Sequence, residues 1–294
     1  MKTTNYSKVA EKYDNNQFRV DEIRFDYDLK NYIEKNVKSK YTVLDLSCGT
    51  GLYLEKQINY FDGDNINWNG LDLSEKMLKK ANEKVKNVEF TNANVEDMPY
   101  DSETFDFISN NYAFHHYRNK QQALNEIYRV LQKGGIYKLH NIAIHDMPKW
   151  WVYHYFPTAY YEDLKRFWNK EVIFNELSTR GLEVNLKIEY RMENVRVNDY
   201  LNYAQNRDIS VLTLINGKEY EEGLERMKYD VKNNPDKTIV NDFAEMFCTA
   251  KKKKGFSNQR IHISKKRFVI PLTGALVEQS TAFTWQFFLV ERWI

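Results

Sequence analysis

A glycine-rich turn flanked by carboxylates offers the clearest chemistry in this sequence of 294 residues. The turn follows an apolar strand that contains Asp45, and it runs through Ser47 and Gly49 to Gly51 at the start of a helix. Glycines let a ligand approach the backbone closely, and the unbonded N–H groups of a helix start favour a negative group. A dinucleotide fingerprint needs another glycine where Leu54 stands. The Asp45 carboxylate favours a ligand with an ammonium group, because it would repel a pyrophosphate.

A second carboxylate, Asp72, stands 21 residues after Gly51 at the end of the next apolar segment. A carboxylate at this place in a parallel sheet can accept hydrogen bonds from both hydroxyls of a ribose. The glycine turn and the two acids therefore predict a pocket for a nucleoside joined to a zwitterionic group.

The elements that position these residues follow from the alternation of short apolar runs with helix-length segments. This pattern predicts an α/β fold with a doubly wound, mainly parallel, seven-stranded sheet and helical cap insertions. Ser74 is a predicted helix N-cap, the pair Gly134 and Gly135 closes a predicted helix, and Gly181 ends another. The predicted strands are residues 41–46, 66–71, 88–91, 105–109, 136–139, 182–190 and 243–250, and the predicted helices include residues 121–131, 171–179 and 197–232.

Five segments in chain order resemble the motifs of class I S-adenosylmethionine-dependent methyltransferases of the small-molecule type. They are residues 43–51, 70–78, 94–99, 105–106 with 113–116, and 126–135. Upstream, residues 6–14 are similar to the N-terminal helix that closes over the cofactor in small-molecule members. The resemblance implies a Rossmann-like fold and S-adenosylmethionine as the cofactor.

The resemblance also implies a role for each of a set of cofactor-binding residues. The methionine part is held by Asp45, Ser47, Gly49 and Gly51, and Tyr13 covers the site. Asp72 binds the ribose, and Leu73 flanks the adenine. Asn94 and Val95 contact the edge of the adenine, and Asn110 lies near the sulfonium. Three positions depart from the family pattern: Ser47 replaces a glycine, Asn94 an aspartate and Lys133 a proline. We expect binding to survive these changes, because the Asn94 side chain can still accept a hydrogen bond from the adenine amino group.

Three histidines are candidate bases, because an imidazole with a pKa near 6.5 can take a proton from a nucleophile. His115 and His116 follow the fourth strand and His140 ends the fifth; packing or helix capping is the alternative for each. The histidines show no ligand spacing, so we predict no metal.

Other polar and aromatic residues have simpler interpretations. We expect Asp106 to be structural, and Glu126 and Arg129 to form an i, i+3 pair on a helix. The aromatic residues 150–161 predict either the core of the cap or a substrate pocket beside the sulfonium.

Composition excludes several function classes. The net charge is +2 and there are two cysteines, so we expect no nucleic-acid partner, no disulfide framework and a reducing, cytoplasmic environment. Residues 1–16 contain no apolar signal segment, and no long apolar run predicts a membrane span.

The predicted domain organisation is a methyltransferase domain over residues 1–254. It comprises a lid at 1–34, a core at 35–145 and 171–250, and cap insertions at 146–170 and 195–235. All 21 tyrosines precede residue 255, and four lysines stand at 251–254. This break in composition predicts that residues 255–294 are a dispensable tail.

The predicted function is methyl transfer from S-adenosylmethionine to an O, N or C nucleophile of a small-molecule acceptor by in-line displacement. Three alternatives remain. An RNA or protein methyltransferase is one, although residues 110–113 lack the prolines common in nucleic-acid N-methylating enzymes. A non-catalytic S-adenosylmethionine-binding regulator is another, and Leu54 disfavours the third, an NAD-dependent dehydrogenase. The sequence leaves the acceptor and the oligomeric state open.

Overall fold

The computed structural model describes residue 14 and residues 23–61 and 65–254. Tyr13, most of the predicted lid and the predicted tail lie outside the described residues. Those predictions therefore stay predictions.

The strands form one seven-stranded sheet in the order β3-β2-β1-β4-β5-β7-β6. Their bounds are β1 Tyr41–Leu46, β2 Ile66–Asp72, β3 Val88–Asn92, β4 Phe105–Asn111, β5 Leu131–Ile142, β6 Leu182–Arg196 and β7 Thr238–Lys252. The pairings among β1 to β5 are parallel, and β7 runs antiparallel to both of its neighbours. The predicted fold class is thus confirmed. The order reverses between β1 and β4, where such sheets bind ligands at the carboxyl ends of the strands.

Helices cover both faces of this sheet. They are α1 Tyr27–Lys35, α2 Leu52–Tyr60, α3 Glu75–Lys84, α4 Lys120–Val130, α5 Trp151–Tyr155, α6 Pro157–Arg166, α7 Lys170–Thr179, α8 Val197–Gln205 and α9 Gly217–Asn233. Short 3₁₀ turns lie at Phe114–His116, Ile144–Asp146 and Ser210–Thr213. The segments between β5 and β6 and between β6 and β7 hold α5 to α9, which include the predicted cap segments.

Two buried clusters explain why the central strands are apolar on both faces. Val43 of β1 and Phe107 of β4 belong to one cluster, and their neighbours Leu44 and Ile108 belong to the other. Because successive side chains of a strand point to opposite faces, each central strand contributes to both clusters.

Two predicted helix ends are confirmed and one is wrong. Ser74 caps α3 by accepting a hydrogen bond from the Met77 N–H, and Gly181 follows α7 with φ +83°. The pair Gly134–Gly135 does not close α4, which ends at Val130. Gly134, with φ +83°, instead lies in β5 where its register against β4 shifts, so the glycine marks a bulge.

Among the described residues, no helix combines the length and the apolar character needed to cross a membrane.

Candidate active site

The glycine turn between β1 and α2 has left-handed backbone at three positions. Ser47, Gly49 and Gly51 have φ of +65°, +55° and +77°. Ser47 thus occupies a conformation that a glycine adopts without steric cost, and its Oγ lies 2.9 Å from the Tyr117 hydroxyl. A glycine at this position could not form this side-chain hydrogen bond to Tyr117.

Gly51 has a packing role. A Cβ added at Gly51 would lie 3.2 Å from side-chain atoms of Ala81 and Val85, so the glycine lets α3 approach the turn. Gly51 lines neither of the two cavities described below, unlike Gly49, which lines both. The predicted contact between Gly51 and a ligand therefore finds no support in the geometry.

Asp72 connects the glycine turn to the end of β2. Its Oδ2 accepts from the Gly49 N–H at 2.9 Å and its Oδ1 from the Ser74 N–H at 2.8 Å. Burial raises the pKa of Asp72, although these backbone N–H groups oppose the shift. Its carboxylate is thereby fixed in place where a ligand can reach it.

Asp45 is buried one residue before the end of β1, and burial together with the charge of Asp72 raises its pKa well above the usual range. A buried acid with a neighbouring acid favours a cationic ligand, since a cation would stabilise the ionised form. An ammonium group fits this position, as the sequence predicts.

Two adjoining cavities open at the carboxyl ends of the strands. The Asp72 cavity, of about 350 Å³, is lined by Asp72, Leu73, Asn94 and Val95, among others. The second cavity, which we call the Arg166 cavity, has a volume of about 190 Å³ and reaches from Asp45 to the cap. The residues common to both are Ser47, Gly49, Asn111, Tyr112 and His116.

The structure brings most of the predicted cofactor residues to these cavities. Leu73 is exposed at the mouth of the Asp72 cavity and Val95 is buried in its wall. The Asn94 Oδ1 accepts from the Glu96 N–H at 3.1 Å, so a ligand contact would share this oxygen. The set Asp72, Leu73, Asn94 and Val95 fits a nucleoside, because it combines a carboxylate with apolar and amide groups.

Asn110 does not face either cavity, contrary to the prediction. Its side chain is fully buried and its Nδ2 donates to the Leu46 carbonyl and to the Tyr117 hydroxyl, both at 2.8 Å. Side chains alternate along β4, and it is the next residue, Asn111, that lines both cavities. Asn110 therefore supports the turn through Tyr117.

The three candidate bases lie in different environments. His115 lines the Arg166 cavity and its ring stacks on Phe167 with centroids 4.1 Å apart. Burial lowers the pKa of His115 well below its usual value, so the imidazole is neutral near pH 7. His116 lines both cavities, and either ring can therefore face an acceptor.

His140 lines neither cavity and lies behind Tyr112. Its Nε2 lies 2.9 Å from Oε1 of Glu245, and the Tyr112 hydroxyl donates to the same oxygen at 2.6 Å. The geometry thus gives His140 a positioning role and not the predicted contact with an acceptor. Sequence reasoning missed Tyr112 and Glu245. The one local signal in the sequence is that Tyr112 comes just after the fourth strand, where site residues of such sheets lie.

A buried ion pair in α6 is a further feature that the sequence did not indicate. Asp163 and Arg166 are 1% and 2% exposed, line the Arg166 cavity, and form an i, i+3 pair. The Tyr153 hydroxyl donates to the Asp163 Oδ2 at 2.9 Å. The cap thereby places a fixed pair of charges in the wall of the Arg166 cavity.

The aromatic segment after β5 forms part of the core of the cap, and one of its residues also lines a cavity. Trp151, Tyr153, Tyr155 and Phe156 are buried, and Phe156 stacks on Tyr220 of α9. Trp150 packs at the edge of this core and also lines the Arg166 cavity.

Asp106 is structural, as predicted. It is buried and accepts hydrogen bonds from the Tyr32 hydroxyl and the Thr42 N–H. Glu126 and Arg129 pair as predicted, and Arg129 also donates to the carbonyl of Met98. Across the part of the chain that the structure describes, no group of three potential metal ligands comes together.

One described residue of the predicted lid reaches the glycine turn. Asp14 accepts from the Thr50 hydroxyl at 2.5 Å and pairs with Lys84 of α3 at 2.5 Å. Residue 14 therefore lies against the same turn that borders both cavities.

Comparisons with known proteins agree with this geometry. The family described as "Methyltransferase domain" matches residues 44–139. The ubiquinone/menaquinone biosynthesis C-methyltransferase UbiE of Campylobacter jejuni is 37% identical over 108 residues, covering 36% of this chain and 44% of the relative. A demethylmenaquinone methyltransferase of Listeria monocytogenes is 32% identical over 122 residues, covering 39% and 50%. The match thus spans about half the length of these relatives.

Solved structures share the fold at low identity. A putative methyltransferase from an antibiotic biosynthesis pathway of Anabaena variabilis has a TM-score of 0.60 at 19% identity, covering 76% of this chain and 97% of its own. A putative methyltransferase of Bacillus halodurans has a TM-score of 0.55 at 20% identity, covering 78% and 100%. Residues 44–139 thus match a methyltransferase domain, and the sheet to which they belong has the fold of these solved structures.

Proposed function

We propose that this chain transfers a methyl group from S-adenosylmethionine to a small-molecule acceptor held under the cap. The observation that carries the proposal is the pair of adjoining cavities that share Ser47, Gly49, Tyr112 and His116. One cavity offers a nucleoside the carboxylate of Asp72, and the other extends from Asp45 into the cap. Two ligands bound there would meet at the shared wall.

In the proposed complex, Asp72 holds the ribose hydroxyls and Asp45 the ammonium group, while the Asp72 cavity encloses the adenine. When bound, S-adenosylmethionine supplies an electrophilic methyl group on a sulfonium. The chain contributes alignment and exclusion of water, and holding two reactants in register supplies about 7–11 kcal/mol in favourable intramolecular models. For an acceptor that carries a proton, His115 and His116 are the candidate bases. His140 acts through Tyr112 by fixing one wall of the shared region.

The acceptor is set by the cap, which lies outside residues 44–139 that match the family. Residues from both cap segments, such as Phe167 and Val211, line the Arg166 cavity. The names of the relatives refer to quinone biosynthesis, so quinones are one class of acceptor to test. We propose that the acceptor is a small molecule and that the protein acts in the cytoplasm. Such a cavity admits a small molecule more readily than a nucleic acid or a protein segment.

Calorimetry and turnover together test this proposal. We expect S-adenosylmethionine and S-adenosylhomocysteine to bind and NAD to fail, and acceptor panels that include quinones should release S-adenosylhomocysteine. Preference for NAD would contradict the assignment of the cofactor. Tight cofactor binding without turnover across broad panels would instead favour the regulator, and salt-sensitive RNA binding would favour a nucleic-acid substrate.

A further inference from the structure

Arg166 is a buried cation whose hydrogen-bonding capacity is only partly used. Its Nη2 donates to Asp163, but its Nε and Nη1 are buried and have no hydrogen-bond partner in the described parts of the chain. A guanidinium carries five N–H donors and is not deprotonated in proteins. Leaving charged donors unbonded away from water is costly, so this arrangement favours a ligand that brings an acceptor atom.

The position of Arg166 restricts which ligand that is. Arg166 lines the cavity at its cap end, together with His115 and Phe167. The Nδ1 of His115 is also buried without a hydrogen-bond partner among the described residues. The two residues that carry these three unbonded nitrogens therefore line the same cavity, where the methyl acceptor, and not the cofactor, would lie.

The neighbouring charges leave the guanidinium available to an anion. Both oxygens of Asp163 already accept hydrogen bonds, Oδ1 from Arg166 and Oδ2 from Tyr153. Asp45 belongs to the proposed ammonium site at the other end of the cavity. The remaining carboxylate of this cavity, Asp208, comes from the loop that follows α8 and would oppose an anion.

We propose that the methyl acceptor carries an anionic oxygen group, a carboxylate or a phosphate, that binds the Arg166 guanidinium beside His115. This inference rests on the proposed function, because it assigns the substrate class of the same site. The rings of Trp150, Phe167 and Phe243 line the same cavity and fit an aromatic body that carries this group.

Small aromatic probes test the charge preference without any substitution. We expect the protein saturated with S-adenosylhomocysteine to bind benzoate or phenyl phosphate at least about tenfold more tightly than neutral benzamide, the range expected for a hydrogen bond to a charged group. Tryptophan fluorescence and ligand-observed NMR report this binding, and the comparison of benzoate with phenyl phosphate identifies the anion. Benzamide, which represents neutral acceptors such as quinones, overturns the proposal if it binds as well as both anions.

A matched pair of double variants locates the preference. Asp163→Asn with Arg166→Gln removes the buried pair without changing the net charge, and it should abolish the preference for the anion. Glu162→Gln with Lys165→Gln is the control, since this i, i+3 pair lies on the same helix and lines neither cavity. An unchanged preference in the first variant overturns the proposal.

Calorimetry with S-adenosylhomocysteine separates this inference from the function on which it rests. Absence of S-adenosylhomocysteine binding to the unsubstituted protein would contradict the proposed function itself. Normal S-adenosylhomocysteine binding with no preference for an anion would contradict only the assignment of Arg166.

Discussion

Among single residues, Asp72 contributes both to the fold and to the candidate site. It accepts hydrogen bonds from two backbone N–H groups and also lines a cavity. We expect Asp72→Ala to weaken S-adenosylmethionine binding by about 100-fold or more, since two hydrogen bonds to a charged acceptor are lost. The variant should also lose about 1–3 kcal/mol of unfolding free energy, because the N–H groups of Gly49 and Ser74 lose their partner.

Calorimetry and urea unfolding measure the two effects of Asp72→Ala. The exposed Asp101→Ala is the matched control and should change neither quantity. Unchanged affinity in Asp72→Ala would contradict the ribose assignment.

His115 predicts a dependence of stability on pH. Burial lowers its folded pKa well below 6.5, so an unfolded chain binds the proton more readily than the folded one. The unfolding free energy should therefore fall as the pH decreases below about 6.5, by up to about 1.4 kcal/mol per pH unit from this group. Urea unfolding between pH 7.5 and 5.5 should show a smaller loss in His115→Gln than in the unsubstituted protein, and equal slopes would refute this.

At the scale of elements, the contact of α9 with the segment of α5 and α6 depends on one glycine. A Cβ added at Gly223 would lie 2.6 Å from the Tyr155 carbonyl oxygen and from Cε1 of Phe156. We expect Gly223→Ala to destabilise the protein by about 1–3 kcal/mol, although alanine is the better helix former.

Thermal unfolding compares Gly223→Ala with Gly217→Ala in the same helix. An added Cβ at Gly217 meets no atom within 4 Å, so this control should be neutral or slightly stabilising. Equal behaviour of the two variants would show that α9 packs differently.

The features of these elements that could be predicted depend on sequence patterns within a few residues. Strands β1 and β2 and the cap at Ser74 follow from apolar runs and capping chemistry within a few residues, so their predicted bounds agree with the structure to within one residue. The bulge at Gly134 escaped prediction because a glycine that ends a helix and one that breaks strand register look alike. Their difference arises from pairing with β4, which local sequence does not encode.

The residues of the site likewise fall into those that local sequence predicts and those that only the tertiary structure brings together. Asp45, Asp72 and Gly49 lie in short motifs whose spacing reflects one turn, and these motifs place them correctly at the cavities. Tyr112 and Glu245 are 133 positions apart and meet only because β7 pairs with β5. The burial of the Asp163–Arg166 pair could not be predicted for another reason. Charged residues at i, i+3 are common on exposed helices, and only tertiary packing buries this pair.

At the scale of the whole molecule, the last strand of the described sheet, β7, ends at Lys252. We propose that residues 255–294 are dispensable, and we expect truncation after Lys254 to leave S-adenosylhomocysteine affinity within about twofold, because the residues placed at both cavities precede this point. Calorimetry and thermal unfolding check this. Loss of binding or of solubility would show that the segment belongs to the domain.

The wall that the two cavities share has a thermodynamic consequence. Tyr112 and His116 border both spaces, so any adjustment of these rings to one ligand alters the space left for the other. Linkage requires that the factor by which the cofactor changes acceptor affinity equals the factor by which the acceptor changes cofactor affinity. Under the proposed function, the methyl donor and its acceptor are therefore reciprocal effectors of each other, and after transfer the departure of either product changes the retention of the other.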